Sequence, residues 1–410
     1  MISDFIFNLI QRVSFIKKYR LYNFCKKIIF PFLIKNISKL FKDDIDEKLI
    51  IMGAYGGGAF IDNPRYLFEF LNKNSNYKLV WIAKLNEVSI ELKEKGYYVA
   101  SFYSLPTIKL LRKAKYIFLS HGVSDILPIE FSPKTSIIVT WHGTQIKKLV
   151  GSENLYVYGK WGEIFRLKLK NDKYIDYLLT PTGEKRDHGL ISKAFKISPK
   201  KILSLGYPKL DLLFNQNIMF ITKLKNKYKI PKKIKKIILY CPTWRNDLKL
   251  KVPFTSLDLA KLNNFLEEIN TLFLIKAHMF VKEISFEDYH NIRIVPKNAN
   301  IEELYLITDI LITDYSSTMF DFSLLDRPII LYAYDLEKYL ETRGLYYNLE
   351  DIAPGPIYYN AEDLIDGIKN VDKIDRIYKE KRIEIRNRFN KYNDGKSTER
   401  ILNFLGIKYR

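Results

Sequence analysis

Cysteine is scarce: Cys25 and Cys241 are the only two in 410 residues. That excludes a disulfide framework and suits a reducing compartment. Neither cysteine has a second cysteine or a histidine at metal-ligand spacing, so no zinc site is expected. Long apolar runs are missing too. The longest, IIFPFLI at 28–34, falls far short of the ~20 residues that cross a bilayer. Several basic residues precede it, which does not fit a cleaved secretory signal. No GxxxxGK[ST] loop occurs, which argues against ATP hydrolysis. The loop Gly56–Gly58 is not a GxGxxG turn followed by a ribose-binding acid. HExxH and compact carboxylate clusters are absent. The expectation is an enzyme or binding protein with no metal and no cofactor.

Acidic residues are the scarcer charge: 46 against 67 basic ones, a net +21. Such a surface attracts polyanions, whether nucleic acid, anionic lipid or a phosphorylated substrate. Composition does not choose among them. The imbalance is sharpest at the amino terminus, where Arg12, Lys17, Lys18, Arg20, Lys26, Lys27, Lys35, Lys39 and Lys42 face Asp4 alone. Phe5, Leu9, Val13 and Ile16 recur there at helical spacing. A basic amphipathic segment over 1–45 is the pattern of a helix lying in a membrane interface. Packing on the protein's own core is the other reading, and both stay open.

From residue 49 apolar strands alternate with helices: LIIMGAY, a helix in NPRYLFEFLNK, KLVWIAK, SIELKEKG, YYVASF, LPTIKLLRKA, KYIFLSHG and SIIVTWHG. The series restarts after the lysine-rich IPKKIKK with IILYCPTW, LAKLNNFLEEI, TLFLIKAH, NIRIV, IEELYLIT, ILITDYSS, TMFDFSLLD and RPIILYAYD. Continuous apolar strands between helices call for parallel sheets covered on both faces. Two such series predict an α/β protein of two Rossmann-type domains with a cleft between them. Their expected bounds are 46–208 and 209–372, followed by a charged helical tail over 373–410.

Polar residues gather where apolar strands end. His142, Thr243, His278 and Ser316 each follow a strand's carboxyl end, where open α/β sheets bind ligands. TWHGTQIKKL places His142 between Trp141 and Gly143, with GTQIKK expected to open a polar turn feeding a helix. His142 could merely finish a strand. In LITDYSSTMFDF, Ser316 or Ser317 can cap the helix that follows, and free amides with two hydroxyls suit a phosphate. Asp321, on the first turns of that helix, suits a neutral hydroxyl better. YCPTWR adds Arg245, whose planar fork matches phosphate oxygens. IKAH adds Lys276.

WHGT with basic residues after it, PTWR, TDYSSTMFDF, RPIILYAYDLEKY and RGLYYNLEDIAPGP, together with GAYGGGAFIDNPRYLFEFL and GYPKLDLL, resemble the CDP-glycerol glycerophosphotransferase family. The motifs cover roughly residues 49–360. The resemblance implies a GT-B-like fold, with acceptor on the first domain and CDP-donor on the second. It implies a peripheral enzyme on the cytoplasmic face of the cell membrane, partnered by anionic lipid and not by nucleic acid. The reaction implied is transfer of a polyol phosphate, foremost glycerol phosphate, from a CDP-activated donor to a hydroxyl of a lipid-linked or glycan acceptor. CMP is released, and a teichoic-acid-like or capsular polymer grows.

Carried over by motif, the donor contacts are Trp141, His142, Gly143, Thr144 and Gln145, then Lys209, Pro242, Thr243, Lys276, Ala277, His278, Ser316, Ser317 and Asp321. Lys209 stands where the family commonly has arginine, and Met279 where it commonly has proline. His142 is expected to act as general base. His278, Lys209 and Arg245 are expected to neutralise the diphosphate. A GT-B glycosyltransferase using a CMP-sugar is the competing enzyme. A basic nucleic-acid or membrane-binding module is the non-enzymatic alternative, and it has no use for strand-end histidines.

Overall fold

The structure, a computed structural model, describes residues 30–148, 174–243, 245, 259–277 and 289–410. Residues 1–29, most of the expected amphipathic segment, lie outside the described residues, as do His278 and Met279. Among the described residues, no helix is long and apolar enough to cross a membrane.

Seven parallel strands make the first sheet, in the order β3-β2-β1-β4-β5-β6-β7. They are β1 (Asp46–Gly53), β2 (Lys78–Ala83), β3 (Val99–Ser101), β4 (Ala114–Leu119), β5 (Ser136–Val139), β6 (Tyr177–Thr180) and β7 (Ile202–Ser204). Six more make the second, in the order β10-β9-β8-β11-β12-β13. These are β8 (Lys236–Cys241), β9 (Thr271–Ile275), β10 (Ile292–Ile294), β11 (Ile310–Thr313), β12 (Ile329–Tyr332) and β13 (Ile357–Tyr358). The helices used below are α1 (Phe30–Ser38), α2 (Asp62–Asn74), α3 (Leu105–Lys113), α4 (Ile218–Lys227), α5 (Ile301–Ile307), α6 (Thr318–Phe322), α7 (Val371–Phe389) and α8 (Ser397–Phe404).

The apolar runs become strands because both faces of each sheet are covered. Ile50, Ile51 and Met52 of β1 are wholly buried, as are Ile238, Leu239 and Tyr240 of β8. Parallel pairing sets Ile51 against Val80 on one side and Ile117 on the other. Strand order reverses between β1 and β4, and again between β8 and β11. At such switch points the loops after neighbouring strands part and leave a crevice at the carboxyl ends. Here those loops carry Tyr55–Gly58 and Ser120–His121 in the first half, and Pro242–Thr243 and Asp314–Ser317 in the second.

Three features depart from the expected layout or add to it. The strands β6 and β7 and the helix Lys185–Phe195 extend the first sheet through a stretch with no expected elements. The helix α1 buries Ile34, with Ile37 and Phe41 beside it, in the cluster that also holds Ile108 and Leu111 of α3. That part of the amino-terminal segment therefore packs on the protein's own core. Finally, α7 begins at Val371, and the chain beyond it returns to the first half. Lys391 N donates to Pro181 O (2.8 Å) and Arg410 N to Asn74 O (2.7 Å). The Tyr116 hydroxyl donates to Leu405 O at 2.9 Å.

Candidate active site

The loop after β5 carries the densest chemistry. The His142 ring stacks on His121, from the loop after β4, with centroids 4.2 Å apart and planes 20° from parallel. The Trp141 ring leans on His142 at 4.1 Å. Trp141 holds a left-handed backbone, φ 54°, and so do Tyr55 and Asp62 on the same rim, at 55° and 60°. Asp tolerates that region, but the bulky Trp141 and Tyr55 are strained there, and such strain collects at functional sites. The turn is held in place by Asn63, whose Nδ2 donates to Trp141 O at 2.8 Å.

Gly143 then passes against the second half. A Cβ at this position would run into the Ser317 hydroxyl. The Tyr207 hydroxyl donates to Gly143 O at 3.3 Å. Residues 143–148, expected as a polar turn feeding a helix, contain no helix themselves, and residues 149–173 after them lie outside the described residues. Residues 143–148 stay extended because the second half offers a partner: Tyr346 N donates to Ile146 O (2.9 Å) and Lys148 N to Gly344 O (3.1 Å). Lys147 pairs with Leu345 as an isolated bridge. Thr144 and Gln145 are buried within this crossing.

Asp314, at the end of β11, organises the opposite rim. Its carboxylate accepts from Thr243 N at 2.9 and 3.0 Å. The Arg245 Nη2 also donates to it, at 3.0 Å. Asp335 accepts from Nε and Nη2 at 2.8 Å each, and Nη1 donates to Thr243 O at 2.6 Å. The guanidinium lies 5.0 Å from the ring centroids of Tyr315 and Tyr339. Burial opposes its charge, but Asp314 and Asp335 hold it above the usual arginine value. Arg245 thus braces this rim with its donors already committed, a different placement from the diphosphate clamp expected from sequence.

Lys209 is also placed differently. It sits in the 3₁₀ turn Pro208–Phe214, which wedges between α2 and α5. Its ammonium donates to Asp321 at 2.7 Å and lies 3.5 Å from Glu302, all three side chains being buried. Burial works against the charge, but Asp321, Glu302 and Asp62 outweigh it and hold Lys209 above the ordinary lysine value. Burial conversely raises Asp62, Glu302 and Asp321. Lys209 therefore pins the two halves together.

The serine turn is shorter than it reads. Helix α6 spans only Thr318–Phe322, and Ser317 makes no side-chain cap. Ser316 Oγ accepts from Thr318 N at 3.4 Å, a long contact. The hydroxyls of Thr144 and Thr243 and Oδ1 of Asp321 are buried and make no hydrogen bond among the described residues. A buried polar atom without a partner calls for an explanation, and a bound ligand supplies one. Pro242 and Ala277 are buried at the ends of β8 and β9. Lys276 Nζ donates to Lys297 O at 2.6 Å, and burial lowers its pKa. No group of three or more His, Cys, Asp or Glu among the described residues is arranged to hold a metal ion.

One cation was missed from sequence. Burial pulls the Lys147 ammonium down to about 8, with Asp314 opposing and Arg343 and Arg245 assisting. No ion pair holds it among the described residues. The signal present in IKK is only a pair of lysines, and nothing local says which of them the fold buries.

Two Rossmann-type sheets that meet along their loop-bearing ends, with polar groups from both lining the junction, define a GT-B-type transferase. A profile of the CDP-Glycerol:Poly(glycerophosphate) glycerophosphotransferase family matches residues 35–406, and the chain belongs to that family. It is 33% identical over 388 residues to the teichoic acid glycerol-phosphate transferase of Staphylococcus aureus (strain NCTC 8325 / PS 47), covering 92% of this chain and 98% of that protein. It is 30% identical to a teichoic acid poly(glycerol phosphate) polymerase of Staphylococcus epidermidis, covering 88% of this chain but spanning only 50% of that longer protein. Among solved structures, the wall teichoic acid polymerase TagF superposes with a TM-score of 0.80 at 27% identity, covering 97% of each chain.

Proposed function

We propose that the chain transfers glycerol phosphate from CDP-glycerol to a hydroxyl of a lipid-linked or glycan acceptor, building a teichoic-acid-like polymer. The acceptor oxygen attacks the β-phosphorus, a new P–O bond forms, and the bond to the α-phosphate oxygen breaks in line. CMP leaves with that electron pair, and His142 takes the acceptor's proton. Such a transfer needs positioning and charge neutralisation more than covalent help. Lys147 and His278 supply positive charge to the diphosphate. The unpaired hydroxyls of Thr144 and Thr243 donate to its oxygens, and Ser317 joins them from across the cleft.

The observation that carries this reading is the meeting of the His142 turn with the Ser317 turn, one from each half. A catalytic base and a phosphate-binding wall then face one space. The amino-terminal segment holds the enzyme on the anionic cytoplasmic leaflet, where a lipid-linked acceptor stays within reach.

The test incubates purified protein with CDP-glycerol, CDP-ribitol or a CMP-sugar, with and without a lipid-linked acceptor, and measures CMP. Acceptor-dependent CMP release from CDP-glycerol is expected. Turnover of the CMP-sugar alone would replace the proposal with a glycosyltransferase.

A further inference from the structure

The second histidine of the stack, His121, takes no proton and touches no phosphate in that reaction. It lies at the β1/β4 switch point, one position beyond Ser120, which follows the end of β4. Its surroundings hold it from several directions. The backbone N of His121 donates to Asp125 Oδ2 at 2.6 Å. The other oxygen of Asp125 accepts from Gly56 N at 2.7 Å, tying the glycine loop to the same carboxylate. The ring Nδ1 lies 2.9 Å from Ser120 Oγ. Ser120 in turn donates to Asp62 Oδ2 at 3.0 Å. A serine has one proton to give. With that proton on Asp62, His121 Nδ1 donates to Ser120, so Nε2 is the unprotonated nitrogen. The edge of Tyr55 closes the ring's remaining side at 5.2 Å.

We propose that His121 is a positioning residue for His142: its clamped ring is the platform that sets the plane of the His142 imidazole. A general base works only when its lone pair points along the acceptor's O–H, and two freely rotating side-chain bonds do not ensure that. The near-parallel stack removes the twist of the His142 ring, while Trp141 limits its swing from another side. The platform is itself held: Asp125 fixes its backbone N, and Ser120, anchored on Asp62, holds the ring at Nδ1. Burial pulls the His121 imidazole below the usual histidine value, with Asp125 opposing. A neutral platform leaves room for the positive charge that His142 gains as it takes the proton. Two cations at stacking distance would repel.

The inference rests on His142 being the base, and its test separates the two claims. CMP release from CDP-glycerol is measured with acceptor for the full chain and for His121→Ala and His121→Phe. The alanine variant is expected to lower kcat about 10- to 100-fold, as misplacement of a reacting group does, with donor KM changed less than about threefold. Phenylalanine keeps a flat ring, so its kcat should stay within about threefold of the parent. An alanine variant with parental kcat overturns the proposal. So does a phenylalanine variant as slow as the alanine one, which would assign a ring nitrogen to the chemistry. If His121→Ala does not fold, Ser120→Ala loosens the clamp instead, and an unchanged kcat there is equally fatal. Proton NMR of the His142 ring gives a readout that needs no turnover. Its ring-current shift should persist in the phenylalanine variant and diminish in the alanine variant. Absence of that change refutes the platform, whereas an inactive parent protein with the change intact refutes only the proposed reaction.

Discussion

Gly143 and Ser317 touch across the cleft so closely that the glycine has no room for a methyl group. Gly143 is not in a left-handed conformation, so alanine there would collide with the hydroxyl and not strain the backbone. The Ser317 hydroxyl would have to swing aside. Gly143→Ala and Ser317→Ala should therefore remove the same donor contact, each weakening CDP-glycerol about tenfold, roughly one charge-assisted hydrogen bond. The double variant should be no worse than either single one. Calorimetric Kd values for the three variants check this, and additive losses would disprove the shared contact.

His142→Ala should lower kcat by about 10²–10⁴-fold, the usual loss of a general base. Its ring is a rim group, so thermal unfolding should stay near the parent's. Parental turnover at saturating donor would remove His142 from the mechanism.

Lys147 gives an alkaline signature. Its ammonium is held down to about 8 in the free protein. If it binds the diphosphate, kcat/KM for donor should fall as pH rises through about 8, because kcat/KM reports the free enzyme. Its contribution to folding runs the other way. A lysine with a depressed folded pKa leaves the unfolded chain binding more protons between about 8 and the ordinary lysine value, so stability rises there. Activity lost while stability climbs distinguishes titration from unfolding. Lys147→Arg, which stays charged, should flatten the profile.

Lys209→Met should destabilise the protein by about 3–5 kcal/mol near pH 7, because it leaves Asp321 and Glu302 buried without their cation. Burial already raises both carboxyls. Without Lys209 they rise further, so the folded variant holds protons that the unfolded chain has released. The deficit should shrink as pH falls towards the ordinary carboxylate range. Urea unfolding at pH 7 and pH 5 measures it, and a pH-independent deficit would contradict this account.

Deleting residues 1–29, which leaves the core-packed helix α1 in place, should abolish most binding to anionic vesicles. Six basic residues against one acidic leave about +5 there, each near a charged leaflet worth roughly 1 kcal/mol. The full chain should sediment with such vesicles and partly release in high salt. Equal sedimentation by both forms would move the contact elsewhere.

Strand ends were legible because a parallel sheet buries its strands on both faces, so apolar runs stop where the ligand side begins. That places His142, Thr243 and Ser316 at strand ends from the sequence alone. Strands β6 and β7 were not legible: YLLT and ILS are too short for any period to register. Lys209 and Arg245 were visible as cations, but their partners come from sequence separations of 112 and 90 residues. No local pattern says whether a charge is answered from that far away. The extended path of 143–148 was hidden for the same reason, since its partner is the strand-like 344–346 on the other half.

The chain passes between its halves twice, and the two passages are fastened to each other. Asp211, on the outward passage, accepts from Ser397 N at 2.8 Å and Thr398 N at 2.7 Å, on the return. A Cβ on Gly395 would meet the Phe214 side chain, so the passages also pack directly. The halves are thus joined away from this clasp as well, by Lys209 on Asp321 and by Tyr346 N on Ile146 O, so loosening any one of these contacts leaves the others holding the two sheets in register.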